Sequence, residues 1–354
     1  SVDIRHLGKY LRKSHDKFKK SIAKASGGEL SEEMLEKLAM NRTKDELRSG
    51  VQTIQYQINT LMTTNGQSPF VTLFLNLDKD DEYLKENAMI VEEILRQRLE
   101  GIKNEAGVYV TPAFPKLVYV LDEHNCLKGG EYDYITRLAV QCSVKRMYPD
   151  YISAKQMREN YEGNVFGPMG CRSFLAPWKD ENGNYKFEGR FNQGVVSINL
   201  PQMGLIAKGD EDLFWKLFDE RLQLCFEALM CRHRALLGTK SDVSPVHWQY
   251  GAIARLKKGE VIDKYLKDGY SSISLGYIGL YEVTKLMKGV SHTTPEGQEF
   301  ALRVMNRLRK ATDTWKKETG IGFALYGTPA ESLCYRFARI DKLKFGSVTD
   351  VTDK

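Results

Sequence analysis

Apolar side chains recur every three or four residues through the first sixty positions of the chain. Leu7, Leu11, Phe18 and Ile22 follow this spacing, which predicts an amphipathic helix over 4–24. Ser31, followed by two glutamates, is a plausible N-cap for the next helix.

A further helix start is indicated at Thr43 and Glu46, whose spacing is that of a capping box. From there an apolar stripe runs over 47–61, and its simplest interpretation is core packing. Asn65 and Gly66 then interrupt the helical pattern.

Strand-like and helix-like patterns alternate through the remainder of the chain. Apolar runs rich in β-formers predict buried strands at 70–77, 116–121, 195–200 and 322–325. Helical patterns lie at 83–102, 132–146, 211–236 and 294–319, and the segment 272–286 mixes both signals. The polar segment 179–185 predicts a hairpin tip. This alternation predicts an α/β fold, and the absence of repeats or low-complexity linkers favours one continuous domain.

Composition narrows the possible functions. The 354 residues are 42% hydrophobic, so the chain can bury a large core, yet no apolar run is long enough for a membrane span. The formal charge is +6, and residues 1–25 hold eight Lys or Arg against two Asp. This basic helix lacks the aromatic residues of a single-strand binder, so we expect a solvated face and no nucleic-acid partner.

The six cysteines are scattered and form no CxxC pair. We therefore expect a reducing cytoplasm, no disulfide framework and no metal site in this chain. Cys225 and Cys231 are interpreted as core thiols.

One cysteine has an unusual setting. Cys171 follows a turn-prone run with two glycines and one proline, within the loop 164–175, and leads into a short apolar segment. A loop of this kind can carry a thiol into a cavity, although a small hydrophobic residue at a loop corner has the same pattern.

Polar candidates accompany strand and helix ends. Asn192 offers an amide that can donate to and accept from a hydroxyl, or cap its own turn. Asn199 ends a predicted strand, while Gln67 and Ser68 precede another. Polar residues at strand ends either line a ligand cleft or hydrogen-bond to neighbouring loops.

The run Thr328, Pro329, Ala330, Glu331 and Ser332 has the pattern of a helix start. It offers an N-cap, a proline at the first helical position and a capping-box glutamate. Free N–H groups at such an end favour an anion, although most helix starts bind no ligand.

Several sequence blocks in order carry a resemblance to a known family. They include Asn65–Thr72, Lys145–Asp150, Met169–Leu175 and Gly194–Pro201, followed by Thr328–Leu333. Together they resemble the catalytic subunit of the anaerobic (class III) ribonucleoside-triphosphate reductases, which are glycyl-radical enzymes.

The resemblance implies a ten-stranded α/β barrel with the loop 164–175 as a finger at its centre. The chain is then expected to be an internal fragment, a single catalytic barrel domain incomplete at both ends and inactive alone. The family's N-terminal nucleotide-binding cone, its C-terminal glycyl-radical loop and its zinc-binding cysteine pairs are not found in these 354 residues. The helical region 1–62 corresponds to the dimer contact and effector site.

The resemblance also implies roles for individual residues. Cys171 corresponds to the thiyl-radical cysteine that removes the C3′ hydrogen of a ribonucleoside triphosphate. Asn192 and Met169 correspond to residues near the reacting sugar in members that use formate as reductant, whereas other branches use a dithiol. The turn at Thr328 to Ser332 corresponds to the substrate phosphate site.

The resemblance further implies a glycyl radical outside this chain, a radical-S-adenosylmethionine activase, dNTP and ATP effectors, and a homodimer. Two alternatives remain open. One is another glycyl-radical enzyme, such as a formate-lyase type, and the other is a catalytically inactive nucleotide-binding protein of the same fold.

Overall fold

The computed structural model describes residues 2–62, 70–168, 174–187, 189–328 and 331–353, with only the backbone of Glu331. The chain divides into two compact units, Ser1–Cys171 and Arg172–Lys354. Each unit is α/β, and each is described separately below.

The first unit is built on a parallel sheet of four strands. These strands are β1 (Val2–Asp3), β2 (Thr72–Leu75), β5 (Lys116–Leu121) and β6 (Asp150–Ser153), in the spatial order β1-β2-β5-β6. A separate antiparallel pair comprises β3 (Ile102–Lys103) and β4 (Tyr109–Val110). The predicted strand at 116–121 is confirmed residue for residue, whereas the strand predicted at 70–77 is limited to Thr72–Leu75.

The helices of this unit are α1 (Gly8–Ala25), α2 (Glu32–Thr60), α3 (Leu84–Glu100), α4 (Glu123–Cys126), α5 (Asp133–Arg146) and α6 (Ala154–Asn160). Leu75, Val91, Leu95, Leu117 and Ile135 are among the side chains of the unit's main core. Strands buried on both faces are expected of a parallel sheet that helices cover.

Helix α2 confirms one predicted start and contradicts another. Ser31 is its N-cap, since the side chain accepts a hydrogen bond from the Met34 N–H at 3.2 Å. The helix then continues without a break through Thr43 and Glu46, so the predicted capping box is wrong. Thr43 is buried and its hydroxyl donates to the Ala39 carbonyl at 2.8 Å, which satisfies it within the helix.

The second unit contains a parallel sheet of three strands in the order β7-β8-β9. These are β7 (Asn192–Asn199), β8 (Ser272–Ile278) and β9 (Gly322–Gly327). Its helices are α7 (Leu200–Ala207), α8 (Glu211–Leu236), α9 (Pro245–Trp248), α10 (Leu280–Lys288), α11 (Pro295–Thr319) and α12 (Glu331–Phe345). Helix α11 begins as predicted, with Thr294 as N-cap and proline in the first turn.

One face of this sheet is apolar. Ile198, Ile273, Leu275 and Phe323 point to that face and pack against buried side chains of helices α7, α8, α10 and α11. The predicted hairpin tip is also present, as an antiparallel bridge between Lys179 and Tyr185.

The predicted α/β class is confirmed, with parallel sheets and helices packed on them. The ten-stranded barrel and its single-domain boundaries remain predictions. Among the described residues, no helix is long and apolar enough to cross a membrane.

Candidate active site

The second face of the β7-β8-β9 sheet carries mostly polar and small residues, with Val195 and Ile278 as apolar exceptions. Ser274 and Gly276 alternate along β8 with the core residues Ile273 and Leu275. In register with Gly276 are Ser197 on β7 and Tyr326 on β9. This surface, called the polar face below, also includes Asn192 and Thr328 because their side chains bond to Ser274 and Ser197.

Asn192 begins β7 and is held by two hydrogen bonds. Its amide nitrogen donates to the Ser274 hydroxyl at 2.5 Å, and its amide oxygen accepts from the Gly194 N–H at 2.8 Å. The second contact is the local turn that the sequence left open as an alternative. The two contacts fix the amide, while its second N–H and the second oxygen lone pair bond to none of the described residues and could serve a ligand.

Thr328 follows β9 and contacts both of the other strands of the sheet. Its hydroxyl lies 2.7 Å from the Ser197 hydroxyl, and its backbone N–H donates to the Tyr277 carbonyl at 3.1 Å. Burial raises the pKa of the Tyr326 phenol, and the nearby hydroxyls of Thr328 and Ser197 partly oppose that rise. The three hydroxyls of Ser197, Tyr326 and Thr328 are called the hydroxyl cluster below.

The two parts of the polar face lie close together. Ser274, which holds Asn192, and Gly276, beneath the hydroxyl cluster, are separated by one residue on β8. A strand rises about 3.3 Å per residue, so the two anchor points are about 7 Å apart along β8. The face therefore presents an oriented amide beside a group of hydroxyls.

Asn199, at the carboxyl end of β7, is engaged by other protein groups. Its side chain accepts from the Gln202 N–H as N-cap of α7, and its amide nitrogen donates to Asp341 at 2.8 Å. Gln202 donates to the other oxygen of the same carboxylate at 2.6 Å. These contacts show Asn199 tying α7 to α12, whereas its predicted contact with substrate remains a prediction.

Arg190 clamps the segment that follows the finger loop. Its guanidinium is buried and donates to the carbonyls of Ala176 and Gly269, both at 2.7 Å, and of Tyr270 at 2.6 Å. Burial lowers the pKa of Arg190 to about 10, which leaves it charged at neutral pH. Ser272 adds a hydrogen bond from the Ala176 N–H at 2.9 Å, so the chain is anchored just after the loop.

Other predicted site residues lie outside the described residues. These are Cys171, Met169, Gln67, Ser68, Pro329 and Ala330. Glu331 begins α12, and Ser332 in its first turn is exposed. The roles predicted for all of these residues stay predictions.

The sequence reasoning missed several residues of the polar face. Ser197, Ser274 and Gly276 lie in sequence blocks that it singled out, but they were not assigned roles. The alternation of apolar with small or hydroxyl residues along β8 is the signal that identifies them, because alternate residues share a face.

The first unit has a polar cavity of about 500 Å³ that sequence reasoning also missed. It is lined by Arg5, Asp78 and Arg158 together with Asn76, which directly follows β2. Asn76 is buried, and within the described ranges its side chain makes no hydrogen bond. Of the predicted site residues that the structure describes, none lines this cavity.

The two cysteines of α8 differ in burial. Cys225 is buried, as predicted, and burial raises the pKa of its thiol to about 11. Cys231 is exposed, so its prediction as a core thiol is wrong; it lies six positions further along α8 and cannot share the buried stripe. Among the described residues, no group of three or more His, Cys, Asp or Glu is placed to hold a metal ion.

Comparison with known proteins gives consistent matches. The family model described as anaerobic ribonucleoside-triphosphate reductase matches residues 2–354. The enzyme of that name from Salmonella typhimurium is 44% identical over 321 residues, which cover 89% of this chain and 44% of the relative. The corresponding enzyme of bacteriophage T4 is 42% identical over 323 residues, covering 89% of this chain and 51% of the relative. The chain therefore spans about half the length of these relatives.

Solved structures agree in fold. A Thermotoga maritima anaerobic ribonucleotide reductase, crystallised with dATP and CTP, superposes with a TM-score of 0.57 at 16% identity. The match covers 87% of this chain and half (50%) of that chain. Because the family model spans nearly all of the sequence, the chain belongs to the anaerobic ribonucleoside-triphosphate reductase family.

Proposed function

We propose that this chain is part of a catalytic subunit that reduces ribonucleoside triphosphates to deoxyribonucleoside triphosphates for DNA precursor synthesis. The family match over residues 2–354 is the observation that carries the proposal. The polar face adds support, since it offers groups that suit a sugar and a phosphate on neighbouring strands of one sheet.

In the proposed reaction, the thiyl form of Cys171 takes the C3′ hydrogen of the substrate, and water then leaves from C2′. A glycyl radical outside this chain supplies the unpaired electron that creates the thiyl. Formate is the proposed reductant, and the balanced reaction converts one triphosphate, formate and a proton to the deoxy product, carbon dioxide and water. The hydrogen at C3′ is restored at the end, so Cys171 is not consumed.

Asn192 is proposed to hold the reacting sugar through its remaining donor and acceptor, and Met169 is proposed to act near the same sugar. An amide suits this role because it hydrogen-bonds a hydroxyl without adding charge. Its contacts with Ser274 and Gly194 support the proposal, since an amide that is already oriented loses little freedom on binding.

The turn from Thr328 through Pro329, Ala330 and Glu331 to Ser332 is proposed to receive the substrate phosphates. The amino end of α12 has N–H groups without helical partners, and its dipole favours an anion. Asn199, Gln67 and Ser68 are proposed to complete the nucleotide cleft.

Partners follow from the same proposal. The region 1–62 would contribute to a homodimer contact near the site for dNTP and ATP effectors. A radical-S-adenosylmethionine activase containing an iron–sulfur cluster would install the glycyl radical, and the zinc site would lie outside this chain. The mechanism needs free thiols, so we propose a reducing cytoplasm as the compartment.

The test uses a complete, activated enzyme that contains this chain. Cys171→Ser is expected to abolish deoxynucleotide formation while nucleotide affinity stays within about twofold, because serine keeps the size of the side chain but cannot carry a stable thiyl. Cys126→Ser, at an exposed cysteine on α4, is the matched control and should retain activity. Carbon dioxide released from labelled formate should equal the deoxynucleotide formed.

Two outcomes would contradict the proposal. Near-normal reduction by the Cys171→Ser enzyme would remove Cys171 from the chemistry. Nucleotide binding without any reduction in the complete, activated enzyme would instead favour the inactive nucleotide-binding alternative.

A further inference from the structure

Thr328 is anchored on three sides before the chain enters the proposed phosphate turn. Its N–H is bonded to the Tyr277 carbonyl on β8, its hydroxyl lies 2.7 Å from the Ser197 hydroxyl on β7, and the Tyr326 phenol lies near the same hydroxyl. Both the backbone and the side chain of this residue are therefore set by the sheet.

Gly276 provides the space in which the hydroxyl cluster forms. A Cβ at this position would lie 2.2 Å from the Thr328 hydroxyl oxygen, 2.5 Å from the Ser197 hydroxyl oxygen and 3.2 Å from the Tyr326 ring. Two of these distances are far below contact distance, so any other residue would displace the cluster. Ser197 of β7 thus meets Tyr326 of β9 and the following Thr328 over a β8 position that must lack a side chain.

The cluster is also chemically self-sufficient. Each hydroxyl can donate one hydrogen bond and accept two, so three in mutual contact can satisfy all their hydrogens among themselves. Burial raises the pKa of Tyr326, and its phenol therefore stays protonated and able to donate at neutral pH. Hydroxyl groups that hydrogen-bond to one another are suited to orienting a neighbouring turn.

We infer that Ser197 and Tyr326 are positioning residues of the nucleotide site, which act through Thr328 to orient the turn that receives the triphosphate. The inference rests on the proposed function, because it takes Thr328 as the first residue of the phosphate turn. Neither residue needs to touch the ligand. Their contribution is to keep Thr328 in the arrangement that the phosphates require.

The test compares the affinities of the complete enzyme that contains this chain for ribonucleoside triphosphates and for the matching nucleosides, measured by calorimetry. Ser197→Ala and Tyr326→Phe should each weaken triphosphate binding about three- to tenfold, the effect of losing one ordinary hydrogen bond. Nucleoside affinity should stay unchanged, since only the phosphates contact the turn. Ser241→Ala removes a buried hydroxyl bonded to the Lys257 carbonyl elsewhere in the unit, and serves as the matched control.

A double-mutant cycle separates positioning from a general loss of structure. In a Thr328→Val background, Ser197→Ala and Tyr326→Phe should cause no further loss of triphosphate affinity. Equal weakening of triphosphate and nucleoside, or a full additional loss in the Thr328→Val background, would overturn the inference. So would unchanged triphosphate affinity in both single variants when Thr328→Val alone weakens it. If Thr328→Val itself has no effect, the proposed phosphate turn is wrong and the inference falls with it.

Discussion

Asn199 and Asp341 are joined by a hydrogen bond of 2.8 Å although 142 positions separate them in the sequence. The Asp341 carboxylate is only 1% exposed, and its second oxygen accepts from Gln202 at 2.6 Å. Two neutral amides thus solvate a buried carboxylate and attach α12 to the end of β7 and the start of α7. Helix α12 follows the proposed phosphate turn. This contact therefore fixes the position of α12 relative to β7 and α7.

Breaking this link should cost stability. Asp341→Ala leaves two half-buried amide groups without an acceptor, and we expect the free energy of unfolding to fall by roughly 2 kcal/mol. A cycle with Asn199→Ala should reveal a coupling of about 1 kcal/mol between the two sites. Denaturant unfolding checks both values, and the more exposed Asp313 on α11, changed to alanine, is the control. Strictly additive losses would show that the two residues do not stabilise one another.

Gly276 should tolerate no side chain. Gly276→Ala places a Cβ 2.2 Å from the Thr328 hydroxyl oxygen, and we expect a loss of about 1–3 kcal/mol from the strain. Gly50→Ala is the matched control, because it lies in α2 with nothing within 4 Å of the added carbon. That change should stabilise the helix by about 0.5–1 kcal/mol. Thermal unfolding of the two variants should therefore shift in opposite directions, and a neutral Gly276→Ala would contradict the packing described.

Replacing the Arg190 guanidinium should lower the free energy of unfolding, because both its charge and its planar shape are used. Arg190→Met leaves the carbonyls of Ala176, Gly269 and Tyr270 without a donor, and we expect a loss of roughly 3 kcal/mol. Arg190→Lys should recover only part of this, since an ammonium cannot reproduce the planar fork. Arg255→Met, at an exposed arginine in the same unit, should change stability by less than about 0.5 kcal/mol. Equal effects at the two arginines, in chemical denaturation, would refute the clamp.

His233 should make stability depend on pH. Its Nδ1 lies 2.7 Å from the Gln193 amide oxygen, and burial, with a smaller effect from Arg234, lowers its pKa from the ordinary value of 6.5. Between the lowered pKa and 6.5 the unfolded chain binds the proton more readily than the folded chain. The contribution of neutral His233 to the free energy of unfolding is therefore complete above pH 6.5. It is lost as the pH falls below that value.

The measurement is the free energy of unfolding of wild type and His233→Gln at pH 7.5 and 5.5, a window of about one unit on either side of the reference histidine pKa. Wild type should lose more stability than the variant on acidification. His247→Gln, at an exposed histidine, should behave as wild type does. Carboxylates whose pKa is lowered, such as Glu86 and Glu211, titrate below 4.5 and do not contribute in this interval. An equal pH dependence of wild type and His233→Gln would exclude the histidine as its source.

Local sequence patterns correctly predicted most of the helices and strands named in the sequence analysis. The strand at 116–121, the N-cap Ser31 and the start of α11 at Thr294 and Pro295 all follow from side chains within a few residues of each position. These signals work because apolar spacing and capping act over one or two turns of the chain. The family resemblance likewise rests on short blocks whose order is visible in the sequence alone.

Tertiary structure decided which local capping signals take effect and which distant residues come into contact. Thr43 has the local form of an N-cap, yet it lies inside α2 because burial along that helix outweighs the capping signal. Asn199 meets Asp341, and Ser197 meets Thr328, only because parallel strands and the helix after them bring distant residues together. Sequence determined which residues are polar or apolar, whereas the register of three strands determined which of the polar ones form a site.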